Sequence, residues 1–282
     1  MPRIAYVDGR YLPHAMAAVH IEDRGFQFAD GVYEVVTVQN RRLVDEQGHL
    51  DRLGRSLGEL RIAWPVDRRV LRLVMRELIR RNRLVDGMVY LQITRGEAPR
   101  DFRFPPDARP TLVLTARRAD LNPADRLRTG VAVITIPEIR WKRRDIKSVS
   151  LLPQVLGKQR AAEAGAFEAW QVDDDGLVTE GCSSNAWIVT ADGGLVTRQA
   201  DNLILNGITR LSILRLAAEE GVSFEERPFS VDDAHAAREA FITSASTFVL
   251  PVTRIDDRPV ADGMPGPLTG RLRQLYLDYA AG

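Results

Sequence analysis

The stretch Arg118-Ala119-Asp120-Leu121-Asn122-Pro123-Ala124-Asp125 divides this chain. Its Asp, Asn and Pro content is that of an interdomain linker. A chain of 282 residues has room for one or two domains. The linker selects two: an N-terminal domain over 1–118, a linker over 119–125 and a C-terminal domain over 126–282.

In the first domain, Ile4-Ala5-Tyr6-Val7 and Tyr11-Leu12-Pro13 flank the turn pair Asp8-Gly9 and read as a strand and its return. Asp23-Arg24-Gly25 has turn chemistry. The β-branched run Val32 to Val38 is a strand, with Leu43-Val44 as its partner. Leu50, Leu53, Leu57 and Leu60 recur on one helical face between His49 and Ile62. Val70, Leu71, Val74, Leu78 and Ile79 do the same between Arg68 and Asn82. Strands at 88–95 and 111–115 enclose a loop rich in Pro and Arg.

The second domain has a strand over 130–136 and a helix over 153–164. Four short strands follow, at 169–172, 177–179, 186–189 and 195–197. A helix then runs from Asn206-Gly207-Ile208-Thr209 to Glu220, and a short one from Val231 to Glu239. Ala240–Thr243 is a strand opening into the hydroxyl-rich Ser244-Ala245-Ser246-Thr247. Pro267 to Ala281 is a terminal amphipathic helix. The fold class is α+β.

Composition narrows the function. Apolar residues make up 45% and charged residues 27%, as in ordinary soluble domains. A net charge of +1 gives no excess to drive binding to nucleic acid or an anionic membrane. The first 30 residues carry scattered charges that argue against a signal peptide, and no apolar run approaches the ~20 residues of a membrane span. The single cysteine, Cys182, fits a reducing compartment, so a cytoplasmic location is expected. Four scattered histidines and one cysteine offer no metal-ligand spacing.

Basic residues are nearly all arginine. Of 39, only Lys142, Lys147 and Lys158 are lysine. A guanidinium stays protonated, whereas an amine can lose its proton and act as a nucleophile. Lys147 lies between Ile146 and an apolar run and is the one expected in a pocket. Glu180 ends a β-run and faces Gly181 to Ser184, which leaves room for a ligand. A turn carboxylate bonded to local amides is the plainer reading. Gly207-Ile208-Thr209 at a helix start suits an anion, or an ordinary cap. Together, a reactive amine, a strand-end carboxylate and an anion cradle are the contacts that pyridoxal phosphate requires.

The chain resembles the fold-type IV pyridoxal-phosphate enzymes, and among them the D-amino-acid (D-alanine) aminotransferases. The resemblance rests on residues 23–36 (Asp-Arg-Gly-Phe-Gln-Phe-Ala-Asp-Gly-Val-Tyr-Glu-Val-Val) and His49-Leu50-Asp51-Arg52-Leu53. It continues through Thr94-Arg95-Gly96 with Pro99-Arg100, and Asp145-Ile146-Lys147-Ser148 with Leu151-Leu152. Thr179-Glu180-Gly181 with Ser183-Ser184-Asn185, and Gly207-Ile208-Thr209-Arg210, complete it. It implies a two-domain architecture, a smaller N-terminal α/β domain and a larger β-rich C-terminal one. It also implies a homodimer with sites at the subunit and domain interface, and ping-pong transamination between D-amino acids and 2-keto acids.

Residue roles follow from the same resemblance. Lys147 forms the internal aldimine and moves the substrate proton. Glu180 pairs with the pyridine nitrogen, and Leu205 lies against the ring. Arg52, Gly207, Ile208 and Thr209 hold the phosphate, with Ser244, Ala245 and Ser246 as a second polar loop. Tyr33 and Val35 line the substrate side. Arg100 of the partner subunit helps hold the substrate carboxylate. Phe102 stands where the D-alanine enzymes carry a histidine, Cys182 replaces one hydroxyl of the serine run, and Ala245 stands where a threonine is frequent. The Phe102 change keeps an (R)-amine transaminase open as an alternative. A branched-chain L-amino-acid aminotransferase and an aminodeoxychorismate lyase share the cofactor. An Arg-rich binding module is disfavoured by the near-zero net charge.

Overall fold

The structure, a computed structural model, describes residues 3–281. These fall into two compact units: the chain up to Asp120 together with Ile146–Ser150, and Leu121–Asp145 together with the chain from Leu151 on.

The first unit contains β1 (Ile4–Val7), β2 (Arg10–Pro13), α1 (Arg24–Phe28), β3 (Gly31–Gln39), β4 (Arg42–Leu43), α2 (Glu46–Glu59), α3 (Arg68–Asn82), β5 (Gly87–Thr94) and β6 (Thr111–Arg118). Its six-stranded sheet has the order β2-β1-β6-β5-β3-β4, every pair antiparallel. β3 pairs with β5 from Gly31 opposite Thr94 to Val38 opposite Gly87. A β-carbon at Gly31 would lie 2.8 Å from the Ile93 carbonyl oxygen, so glycine is what lets β3 begin there. Leu50, Leu53, Leu57, Leu71, Met75 and Leu78 of the two helices pack on Val32, Val89, Leu91, Ile93 and Leu114 of the sheet. Each buried leucine contributes roughly 2 kcal/mol.

The second unit contains α4 (Ala124–Thr129), β7 (Val131–Pro137), α5 (Leu152–Glu163), β8 (Glu168–Val172), β9 (Val178–Gly181), β10 (Asn185–Val189), β11 (Leu195–Thr197) and α6 (Ile208–Glu219). β12 (Phe224–Glu226), α7 (Val231–Ala236), β13 (Glu239–Ser244), β14 (Phe248–Ile255), β15 (Arg258–Pro259) and α8 (Pro267–Ala281) follow. The mixed sheet runs β12-β11-β10-β13-β14-β7-β8-β9, with β15 on β14. β7 is parallel to both β8 and β14. β8, β9 and β10 are almost entirely buried, so their polar residues Glu168, Gln171, Thr179, Glu180 and Asn185 are buried with them.

Several expectations are corrected. Residues 146–150 pack with the first unit, because Ile146 enters its core and Ser148 bridges Val32; the contiguous 126–282 domain therefore does not describe them. The expected linker contributes Leu121, which is buried in the second unit, and the start of α4. Asp23-Arg24-Gly25 opens α1, its Gly25 amide capped by the Asp23 carboxylate, rather than a turn. Val70 is 44% exposed, not inward. The helix expected over 231–239 stops at Ala236, and Glu239 begins β13. β14 went unread because Pro251 interrupts its apolar run.

Candidate active site

In the first unit, pleating puts Val32, Glu34 and Val36 on the buried side of β3, and Tyr33 and Val35, half-buried, on the other. The Lys147 stretch lies along this strand. The Tyr33 amide donates to the Lys147 carbonyl at 3.0 Å, and the Val149 amide to the Gly31 carbonyl at 3.0 Å. The Lys147 amide donates to Ser56 Oγ at 3.3 Å. With Ile146 sealed in the core, the Lys147 side chain is left half-buried, its Nζ 4.3 Å from the centre of the Tyr33 ring. No carboxylate among the described residues pairs with it. Lys158 differs: its Nζ donates to the Phe167 carbonyl at 2.8 Å and lies 3.3 Å from Glu168 Oε1. Lys142 is exposed.

Arg52 has its direction set by Glu34. Arg52 Nε donates to Oε1 and Nη2 to Oε2, both at 2.7 Å, and His49 Nδ1 lies 2.7 Å from Oε2. Burial alone would push the Glu34 carboxyl up. Arg52 and then His49 outweigh it and bring it down to about 2. An ionised carboxylate only accepts, so His49 Nδ1 carries the proton of that bond.

Arg100 lies on the outer loop with its guanidinium 4.7 Å from the centre of the Phe28 ring, and Arg24 sits 4.8 Å from the same ring. Phe102 is 83% exposed, with its ring 5.4 Å from that of Phe28. Neither Arg100 nor Phe102 forms a hydrogen bond or ring contact with Tyr33 or Lys147 among the described residues. The base of the loop is tied down by Asp30, which accepts from Arg24 and twice from Arg95.

In the second unit, Glu180 is buried and accepts three bonds: Arg140 Nη1 at 2.5 Å and the Leu205 amide at 3.0 Å on Oε1, and Asn185 Nδ2 at 2.9 Å on Oε2. Asn185 also donates to the Leu205 carbonyl at 2.8 Å. Leu205 is thus fixed to Glu180 by its backbone. Glu138 holds Arg140 from the other side through Nε at 3.0 Å and Nη2 at 2.6 Å. Burial raises the Glu180 carboxyl, and Arg140 only partly offsets it because Glu138 shares that arginine and repels Glu180.

At the start of α6, Gly207 carries no side-chain cap, and a β-carbon there would collide with Asn185 Oδ1. Ile208 and Thr209 are buried, and the Thr209 hydroxyl forms no hydrogen bond among the described residues. Ser244 Oγ lies 3.1 Å from Ser246 Oγ and 2.8 Å from Thr247 Oγ1, a hydroxyl cluster that includes Ala245 in its turn. Arg273 donates to the Thr247 and Val249 carbonyls and secures that loop. Cys182 is a buried thiol pushed up to about 12, chiefly by burial and then by Glu168, so it is no nucleophile.

Arg140, Glu138, Asn185, Glu34, His49 and Thr247 are absent from the sequence-based site. The Glu34-Val35 and His49-to-Arg52 segments held a detectable signal, since Glu34 and His49 interrupt apolar faces of a strand and a helix. Arg140 and Glu138 gave none: they act through a residue about 40 positions away. Folding also brings His20, Glu22 and Glu97 together, their ligand-type atoms within 4.8 Å of one another, a grouping no sequence spacing suggested. His20 and Glu97 are solvent-exposed.

Similarity to known proteins identifies the family of this chain. The family model described as amino-transferase class IV matches residues 31–255. A D-alanine aminotransferase of Bacillus licheniformis is 43% identical over 263 residues, spanning 93% of this chain and 92% of the relative. One from Staphylococcus epidermidis (strain ATCC 35984) is 38% identical over 275 residues, spanning 97% and 96%. Among solved structures, the Escherichia coli branched-chain amino acid aminotransferase superposes with a TM-score of 0.92 at 23% identity, covering 99% of this chain and 95% of that one. A T.th. branched-chain amino acid aminotransferase with pyridoxamine 5'-phosphate has a TM-score of 0.91 at 24% identity, covering 100% and 95%. At those identities the two structures speak for the fold, while the sequence matches carry the family. The chain is an enzyme of the class IV aminotransferase family, whose cofactor is pyridoxal phosphate.

Proposed function

We propose that this enzyme transfers the amino group between D-amino acids and 2-keto acids in ping-pong order, with Lys147 as its reacting amine. Support for the substrate class comes from the relatives named D-alanine aminotransferase, matched over nearly the whole chain. The observation that carries the chemistry is Glu180. A carboxylate has about four acceptor positions, and the chain fills three of them. Its raised carboxyl marks a buried charge short of compensation. A cationic N–H donor such as a protonated pyridine supplies what that site lacks, so the residues present fit pyridoxal phosphate.

When bound, pyridoxal phosphate supplies a ring into which charge from the substrate α-carbon can spread. Lys147, without a carboxylate partner, takes the proton from that carbon and returns it. Glu180 holds the pyridine N–H, and Leu205 presents its side chain to the ring. Arg52 and the first-turn amides of Gly207, Ile208 and Thr209 hold the phosphate, with the helix dipole favouring its charge. Ser244, Ala245 and Ser246 add a second contact to it. Tyr33 and Val35 line the substrate side, and Arg100 of the partner subunit helps hold the substrate carboxylate. We also read the enzyme as a cytoplasmic homodimer, in line with its resemblance and its single cysteine; no helix among the described residues is long and apolar enough to cross a membrane.

The test pairs pyruvate with D- or L-glutamate. Alanine formed from the D-donor is expected, and alanine formed only from the L-donor removes the D-specific reading. Exposed Phe102 in place of a histidine favours one second reading, an (R)-amine transaminase. Turnover of (R)-configured primary amines at rates matching D-alanine would establish it. Pyruvate released from aminodeoxychorismate without an amino acceptor would instead indicate a lyase.

A further inference from the structure

The proposed chemistry uses Arg52 but leaves Glu34 and His49 without a task. Glu34 is fully buried, His49 nearly so, and His49 and Arg52 converge on the one Glu34 carboxylate. Stability alone is a poor explanation. Replacing a buried ion pair by apolar groups of similar volume is often neutral or stabilising. The arrangement does fix a direction. Arg52 follows His49 by three residues on α2, so both side chains reach the same spot. Glu34 takes Nε and Nη2 together, which sets the plane of the guanidinium as a single bond would not. An arginine side chain has several rotatable bonds, and freezing them before a ligand arrives removes that ordering cost from binding. Glu34 also sits next to Tyr33 on β3, whose amide is bonded to the Lys147 carbonyl, so the strand that aims Arg52 is the one that carries Lys147.

We propose that Glu34 and His49 are positioning residues that hold the Arg52 guanidinium ready for a phosphate monoester. The proposal rests on the reading above that Arg52 contacts the phosphate of the cofactor. The full chain, stripped of cofactor, is titrated with pyridoxal phosphate and, separately, with pyridoxal, which has the same ring and aldehyde but no phosphate. Glu34→Gln should weaken pyridoxal phosphate about tenfold or more and leave pyridoxal within about twofold. His49→Asn should show the same selectivity with a smaller loss, and it carries the test if Glu34→Gln fails to fold. Arg52→Lys, which keeps the charge but loses the planar fork, should also lose affinity for pyridoxal phosphate alone. Equal losses for both ligands would assign Glu34 and His49 to general structure and overturn the proposal. So would unchanged binding in Glu34→Gln or wild-type affinity in Arg52→Lys. A wild-type chain that does not bind pyridoxal phosphate more tightly than pyridoxal would overturn the underlying reading of Arg52 instead, and the proposal with it.

Discussion

Glu34 and Glu180 are both buried carboxylates, each held by an arginine, and they behave in opposite ways. Glu34 meets a two-pronged Arg52 and His49, and its carboxyl falls to about 2. Glu180 meets one nitrogen of Arg140, two neutral N–H donors and the opposing charge of Glu138, and its carboxyl rises. The first cluster is electrostatically complete within the protein. In the second, Arg140 is shared between two carboxylates and Arg144 pairs with Glu138 rather than Glu180, so the burial of Glu180 is not fully offset. A buried acid that is satisfied serves to orient its neighbours; one that is not satisfied is prepared for a cation.

Lys147→Ala should have the largest effect, a loss of roughly 10³-fold or more in transamination with the fold intact by circular dichroism. Glu180→Gln comes next. It should lower kcat about 10²-fold while moving the Tm of the cofactor-free protein by under about 4 °C, since only an under-compensated charge is removed. Glu34→Gln should reverse that balance: the Tm falls by about 10 °C because Arg52 keeps a buried charge without its partner. A large Tm loss in Glu180→Gln, or none in Glu34→Gln, breaks the comparison.

Acid unfolding sharpens it. The folded pKa of Glu34 lies below the ordinary 4.5, so its stabilisation is fully present above pH 4.5 and is lost as pH falls through about 2. Glu180 is raised above 4.5, so it opposes folding while charged and ceases to do so as pH falls. Chemical denaturation between pH 7 and pH 2 should therefore show a shallower acid loss in Glu34→Gln than in the wild type. For Glu180→Gln, any gain in stability over the wild type should be confined to neutral pH. Gly207→Ala should push Asn185 off Glu180 and Leu205 and weaken cofactor retention on dialysis, at a cost of about 1–3 kcal/mol. Phe102→His should have the smallest effect, a severalfold rise in kcat/KM for dicarboxylate donors; an unchanged value would place carboxylate recognition elsewhere.

The three lysines were separable in sequence because so few exist, and the structure parts them further: Lys158 is bonded to Phe167 and Glu168, Lys142 is exposed, and Lys147 is half-buried over Tyr33. The helices α2 and α3 were legible from leucine spacing, and α3 matched its expected bounds, since a 15-residue amphipathic pattern leaves little freedom. What stayed hidden was long-range. Residues 146–150 join the first unit by pairing with β3, more than 100 positions earlier, and no local pattern announces that pairing. Arg140 and Asn185 look like ordinary polar residues until the sheet brings them to Glu180.

The most direct test of the account is chemical. The protein is loaded with pyridoxal phosphate, reduced with borohydride, digested and mapped by mass spectrometry. The account predicts one stoichiometric phosphopyridoxyl label, on Lys147. A label on Lys142 or Lys158, or no stable label, would contradict it.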